Sequence, residues 1–323
     1  MIQEDRRYLK GRNLHAEQPP YAALDMSPPD RLTRSRLDGL VGAICARTGL
    51  EGDGATLIKF TNSAVFLLPQ ARVVVRIAGS ATVRGRVPKV IRAARWLAAR
   101  GVSAVRLLDG VDQPVEVDGH LATLWHEVRS VGPAPTGTDL GRLLRRVHGI
   151  PDQPPDVPGW GPVEAMRSRL AEADGVATAD LAFLARACGE IEARLSDVEF
   201  VLTPGLIHGD ATVGNLIPGR EGAVLCDLDA TSLGPREWDL TPVATGHLRF
   251  ARNTNNHALL VAAYGFDVTA WAGFPVLRRL RELQLVTSVV PVLASNPALR
   301  EQWRHRLRTF RAGDTAARWE AYG

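Results

Sequence analysis

Lysine is nearly missing from this chain. Of its 39 basic residues, only Lys10, Lys59 and Lys89 are lysines, and the rest are arginines. With the abundance of alanine and glycine, this fits a GC-rich coding sequence better than a dedicated polyanion surface. The net charge of +4 is mild and does not call for nucleic acid as a partner. Cysteine is scarce too. Cys45, Cys188 and Cys226 lie far apart and show no metal-binding or redox spacing, so reduced thiols in a cytoplasmic protein are expected. No apolar run approaches the length of a membrane span, and the polar N-terminus has no apolar signal core. At 45% hydrophobic and 23% charged residues, the composition rules out wholesale disorder. A length of 323 residues suggests about two domains and a sizeable core.

What is present is concentrated between Leu206 and Asp229. Two apolar runs flank a polar loop, His208-Gly209-Asp210-Ala211-Thr212-Val213-Gly214-Asn215, and a Pro-Gly-Arg-Glu-Gly turn leads into Cys226-Asp227-Leu228-Asp229. Asn215 follows Asp210 by five residues, and Asp227 comes twelve further on. Phosphoryl transfer needs this set. One carboxylate accepts the proton of the attacking hydroxyl, and an amide and a second carboxylate hold a metal against the nucleotide phosphates. Each residue also has a plain reading. Asp210 could be a turn residue beside Gly209, Asn215 a strand-entry cap and Asp227 a strand-end turn residue. His208 reads as a loop brace, and Asp229 as either a metal helper or a brace.

These residues, with Gly234-Pro235-Arg236-Glu237-Trp238-Asp239-Leu240 after them, resemble the aminoglycoside phosphotransferase and choline kinase-like family. The specificity of the likeness sits in residues 206–240. The resemblance implies an α+β, bilobal protein-kinase-like fold, with a small antiparallel-sheet N-lobe and a mainly helical C-lobe. It implies a Mg-dependent kinase that moves the γ-phosphate of ATP or GTP to a small-molecule hydroxyl, with no nucleic-acid or membrane partner, as a monomer or homodimer. Asp210 would be the catalytic base, and Asn215, Asp227 and Asp229 the metal set. Antibiotic resistance is an association of that family which the sequence does not itself display. A non-catalytic nucleotide-binding module and a metal-dependent phosphohydrolase built on Asp227 and Asp229 are the alternatives.

The rest of the chain is organised around this stretch. Residues 1–29 read as a mobile tail, 30–127 as the N-lobe and 128–323 as the C-lobe. A helix with Leu37, Leu40, Val41 and Ile44 on one face precedes strands over Ala55–Phe60, Ala64–Leu68 and Arg72–Ile77. The Thr61-Asn62-Ser63 turn has no glycine, so Asn62 and Ser63 are the candidates to bond phosphate oxygens. Arg76 takes the place where such a lobe usually carries a phosphate-pairing lysine. The helix expected over Val83–Arg100 contains no acidic residue to partner it, which leaves a downstream carboxylate as one candidate. A fourth strand is expected over Val105–Leu108, then a hairpin turning at Asp118-Gly119-His120. Glu127, Val128 and Arg129 form the expected hinge to the adenine. Helices follow from Thr138, over Val163–Ala173 and over Ala179–Leu195. Residues 151–200 are acidic, whereas the chain after Leu240 is rich in arginine, so the two halves of the expected acceptor region point to opposite charge.

Overall fold

In the computed structural model, residues 34–60, 63–251 and 253–322 are described. The tail expected over 1–29 and the turn residue Asn62 lie outside them.

Helix α1 (Arg34–Thr48) covers one face of a five-stranded antiparallel sheet in the order β1-β2-β3-β5-β4. The strands are β1 (Thr56–Phe60), β2 (Ser63–Leu68), β3 (Val73–Ala78), β4 (Val115–Val117) and β5 (His120–His126). Alternation decides which residues face α1. Val73, Val75 and Ile77 of β3 are buried with Leu37, Leu40, Val41 and Ile44 of the helix. Val74 and Arg76 therefore turn to the opposite face, toward the rest of the chain. Asp118 and Gly119 both have positive φ and close the β4–β5 hairpin, as its sequence predicts.

Helix α2 (Ala81–Ala99) starts at Ser80, whose Oγ accepts from Val83 N at 3.3 Å. The expected strand over Val105–Leu108 does not form. That segment divides its backbone bonds between two sheets: Val105 N donates to Leu225 O, while Leu108 N donates to Leu124 O. It is a strap rather than a strand.

The remainder is mainly helical. Helix α3 (Gly137–His148) begins with a capping box between Thr136 and Asp139 and buries Leu140, Leu144 and Val147. Gly137 allows it to lie close to α7 (Asn256–Tyr264), since a Cβ there would stand 1.9 Å from Asn256 O. Helices α4 (Pro162–Ala171), α5 (Thr178–Ser196), α6 (Glu237–Arg249), α8 (Phe274–Thr287) and α9 (Arg300–Arg311) share a second core with Met166, Ile191, Leu280 and Phe310. Between the sheet and these helices lie two small hairpin-like pairs: β6 (Gly205–Ile207) with β9 (Ser232–Gly234), and β7 (Leu216–Gly219) with β8 (Gly222–Leu225). The functional stretch of the sequence runs through them.

Candidate active site

The loop after β6 is held from beneath by one buried carboxylate. Asp239, at the start of α6, accepts from His208 N and Gly209 N, both at 2.7 Å, and from His148 Nε2 at 3.1 Å. Trp238 Nε1 donates to Gly209 O at 2.8 Å. Gly209 is required on two counts. Its φ is +82°, and an added Cβ would sit 2.1 Å from Ala230 O. The His208 ring spans the loop: Nε2 donates to Cys226 O at 2.9 Å, and Nδ1 accepts from Asp210 N at 3.3 Å. Its contacts are those of a brace, and its two ring nitrogens are both engaged.

Asp210 emerges from this frame half-buried. Its Oδ1 lies 2.7 Å from Nη1 of Arg281, on α8. Burial alone would raise its pKa, but Arg281, His208 and the Asn215 amide outweigh burial and hold the carboxyl below its ordinary range. Asn215 Nδ2 donates to Asp210 O at 2.8 Å, which fixes the amide and leaves its Oδ1 free. Asp227 is exposed and left-handed, with φ 61° and ψ 64°, at the end of β8. A free amide oxygen and an exposed carboxylate are hard-oxygen donors of the kind magnesium takes beside phosphate oxygens. Cys226, next to Asp227, has its thiol pushed up to about 12 by burial and the neighbouring carboxylate, so it stays a thiol rather than a metal-binding thiolate.

Asp229 does something else. Arg76 Nη1 donates to its Oδ1 at 2.6 Å, and Arg76 Nη2 donates to its Oδ2. Both carboxylate oxygens are thus engaged by one guanidinium. Burial opposes both charges, yet the pairing prevails: the Asp229 pKa is lowered and that of Arg76 raised. The carboxylate missing from α2 is therefore supplied from the loop after β8. The helix instead offers cations. Arg86 and Lys89 lie within electrostatic reach of Asp229, and burial beside Arg86 brings the Lys89 pKa down to about 8.

Ser63 is the first residue of β2, paired with Ala78, and is buried. It lines a small cavity with Arg76, Thr123 and Asp229, and its hydroxyl has no hydrogen-bond partner. Its side chain lies beneath the ion pair rather than out on the turn. Glu127, Val128 and Arg129 follow β5. Glu127 N donates to Arg72 O at 2.9 Å, and the Glu127 carboxylate is 3.5 Å from Arg72 Nε and 3.7 Å from Arg129 Nε. These three residues and the β7–β8 turn line a cleft of about 510 Å³, which Asp210, Asn215 and Asp227 do not reach.

The signature of the phosphotransferase enzyme family matches residues 58–283, most of the chain. The chain belongs to the phosphotransferase enzyme family. No curated protein matches the sequence. Solved structures with the same fold include a choline/ethanolamine kinase family protein from Mesorhizobium loti, at 19% identity and TM-score 0.61 over 85% of this chain and 94% of that one. A microcompartment-associated aminopropanol kinase gives 17% and 0.65 over 86% and 99%. The amicoumacin kinase hAmiN, solved with AMP-PNP, Ca2+ and Ami, gives 12% and 0.64 over 89% and 98%. The α+β, bilobal kinase-like architecture is common to them.

Within this family fold, the sequence motif brings Asp210, Asn215 and Asp227 into one loop region, with Arg76 and Asp229 paired beside it. Two residues were not anticipated: Arg281 and, on α4, Arg169. Each carries a faint signal. Arg281 is four residues after Leu277 and next to Leu280 on the apolar face of α8, and Arg169 is three after Met166. A charge on a buried helical face requires a partner.

Proposed function

We propose that the protein is a Mg-dependent small-molecule kinase that transfers the γ-phosphate of ATP or GTP to a hydroxyl. The observation that carries this is the loop geometry, in which Asp239 pins the backbone under Asp210 while the Asn215 amide bonds Asp210 O. A fixed carboxylate beside two hard-oxygen donors is the equipment of phosphoryl transfer.

Asp210 orients the acceptor hydroxyl and takes its proton. The hydroxyl oxygen forms its bond to the γ-phosphorus as the bond from that phosphorus to the β–γ bridging oxygen breaks, and the electron pair leaves with the nucleoside diphosphate. Asn215 and Asp227 would hold magnesium, which when bound neutralises phosphate charge. Arg76 uses one N–H of each terminal nitrogen on Asp229 and has further N–H groups for phosphate oxygens. Asp229 keeps that guanidinium aimed. Because it supplies the carboxylate α2 lacks, it weighs against reading the chain as a non-catalytic module. We take residues 30–127 as the nucleotide lobe and 128–323 as the catalytic and acceptor lobe, with 127–129 between them meeting the adenine. Three unpaired cysteines suit the reducing cytoplasm, where we place the activity.

Calorimetry with Mg-ATP and Mg-GTP tests the reading. Wild type is expected to bind one of them in a magnesium-dependent manner, and Asp227→Ala to lose at least tenfold in that affinity. Unchanged affinity in Asp227→Ala would move the metal elsewhere.

A further inference from the structure

The base proposed for transfer does not face an acidic pocket. Arg281 is 8% exposed and places Nη1 2.7 Å from Asp210 Oδ1. A second contact, Arg281 Nη1 to Gln284 Oε1 at 2.5 Å, fixes the guanidinium from its own helix. Arg169 approaches from α4, which packs against α8 through Val163 and Met166. Its Nη1 is buried and has no hydrogen-bond partner. Burial, Arg86 and Arg281 all depress its pKa, against the opposing pull of Asp210 and the exposed Glu172. Arg281 thus contacts Asp210 directly, and Arg169, with a buried and unbonded Nη1, lies within electrostatic reach of both.

A buried N–H without an acceptor is costly, and a guanidinium fork matches an oxyanion better than any other common group. A cationic acceptor at Asp210 would have to enter against Arg169 and Arg281. We propose that Arg169 and Arg281 form an anion-recognition pair, so that the acceptor is a hydroxy compound carrying a carboxylate or phosphate group near the hydroxyl that is phosphorylated.

The inference rests on the kinase reading for the fate of the hydroxyl. It adds the charge of the acceptor and a function for the Asp210–Arg281 contact. Before the acceptor binds, Arg281 neutralises Asp210. The acceptor's oxyanion takes over that guanidinium and frees Asp210 to receive the hydroxyl proton. The side chain that contacts Asp210 is the α8 arginine Arg281, not a carboxylate of the 151–200 stretch.

Two measurements decide it. First, thermal melting of the full chain in saturating Mg-AMP-PNP is followed with malonate and inorganic phosphate as probes. The nucleotide fills its own phosphate site, so remaining stabilisation by these anions reports the arginine pair. Wild type is expected to be stabilised and Arg169→Met not, with Arg169→Lys partly restored. Equal stabilisation of wild type and Arg169→Met, or none in either, would overturn the proposal. Second, acceptor-dependent ADP release is compared for glycerate, glycerol 3-phosphate and glycerol, for gluconate and glucitol, and for ethanolamine and kanamycin. The anionic member of a set is expected to exceed its neutral analogue at least tenfold in kcat/KM. Glycerate or gluconate leading would identify a carboxylate acceptor, and glycerol 3-phosphate a phosphorylated one. Arg169→Met is expected to erase the preference mainly through KM. Turnover of ethanolamine or kanamycin above the anions would contradict the assignment. Failure of AMP-PNP to bind would sink the kinase reading alone, and the malonate comparison without nucleotide would still score the arginine pair.

Discussion

Asp239 is the residue on which the geometry of the loop depends most. It is fully buried, it accepts two backbone N–H groups and an imidazole N–H, and it sits one residue from the indole that holds Gly209 O. The loop can bend under it only because position 209 has no side chain. Gly209→Ala is expected to cost about 2–4 kcal/mol, from the left-handed backbone and the displaced Ala230 carbonyl. Urea denaturation checks this, and a loss under about 1 kcal/mol would mean the loop relaxes freely. Much of this was legible from the chain. His-Gly-Asp, the Asn five residues on and the Asp twelve beyond are local enough for spacing to report their proximity. A downstream carboxylate was one candidate partner for Arg76, but its identity as Asp229 was not legible, nor was the contact of Arg281 with Asp210. These pairs join residues far apart in sequence, and their contact depends on how α8 and the β3 strand are packed.

At the scale of elements, the departure that matters is α2. A helix with no carboxylate stands where a carboxylate is usual, and it turns Arg86 and Lys89 toward Asp229. Lys89 is half-buried, with a pKa near 8 against an ordinary value of 10.5. Between these two values the unfolded chain binds the extra proton, so stability rises with pH across that window; below about 8 the folded state carries the full cost of the buried charge. Lys89→Met is expected to flatten that rise and to be the more stable protein at pH 7. Urea midpoints for both proteins at pH 7 and 9.5 check it, and parallel pH slopes would show that Lys89 is solvated. Helices α6 and α8 are joined differently. Arg249 Nε donates to Glu282 Oε1 at 2.7 Å with both side chains buried, and Arg278 adds a third charge at 2.8 Å. Arg249 also holds the C-terminal segment through Asp314 O and Ala317 O. Glu282→Ala leaves that guanidinium buried without its carboxylate, and a loss of about 3–5 kcal/mol is expected in the denaturation midpoint. A change under about 1 kcal/mol would mean that Arg249 finds water. The strap over Val105–Leu108 escaped sequence reading for a related reason. Its apolar alternation is that of a strand, but its hydrogen bonds go to β5 on one side and β8 on the other.

Across the whole molecule, the core explains why the site is where it is. One hydrophobic cluster holds α1 to the sheet, another holds the lower helices together, and a third includes Val74 and Trp125 of the sheet with Leu216, Leu225 and Leu228 of the catalytic stretch. Through that third cluster the strand carrying Arg76 is seated on the loop carrying Asp229. The kinase-like α+β fold was expected from the family resemblance of residues 206–240, and the hydrophobic patterns supplied the individual strands and helices. The charge proposed for the acceptor was not legible, because the acidic and basic stretches each suggested an answer and the Arg281–Asp210 contact depends on packing. The central claim, transfer through Asp210, is tested most directly by following label from γ-32P-labelled ATP or GTP into acceptor. Wild type is expected to label a hydroxy acceptor in proportion to nucleoside diphosphate formed. Asp210→Asn is expected to bind Mg-nucleotide as wild type does but to transfer at least a thousandfold more slowly. Transfer at the wild-type rate in Asp210→Asn would contradict the account.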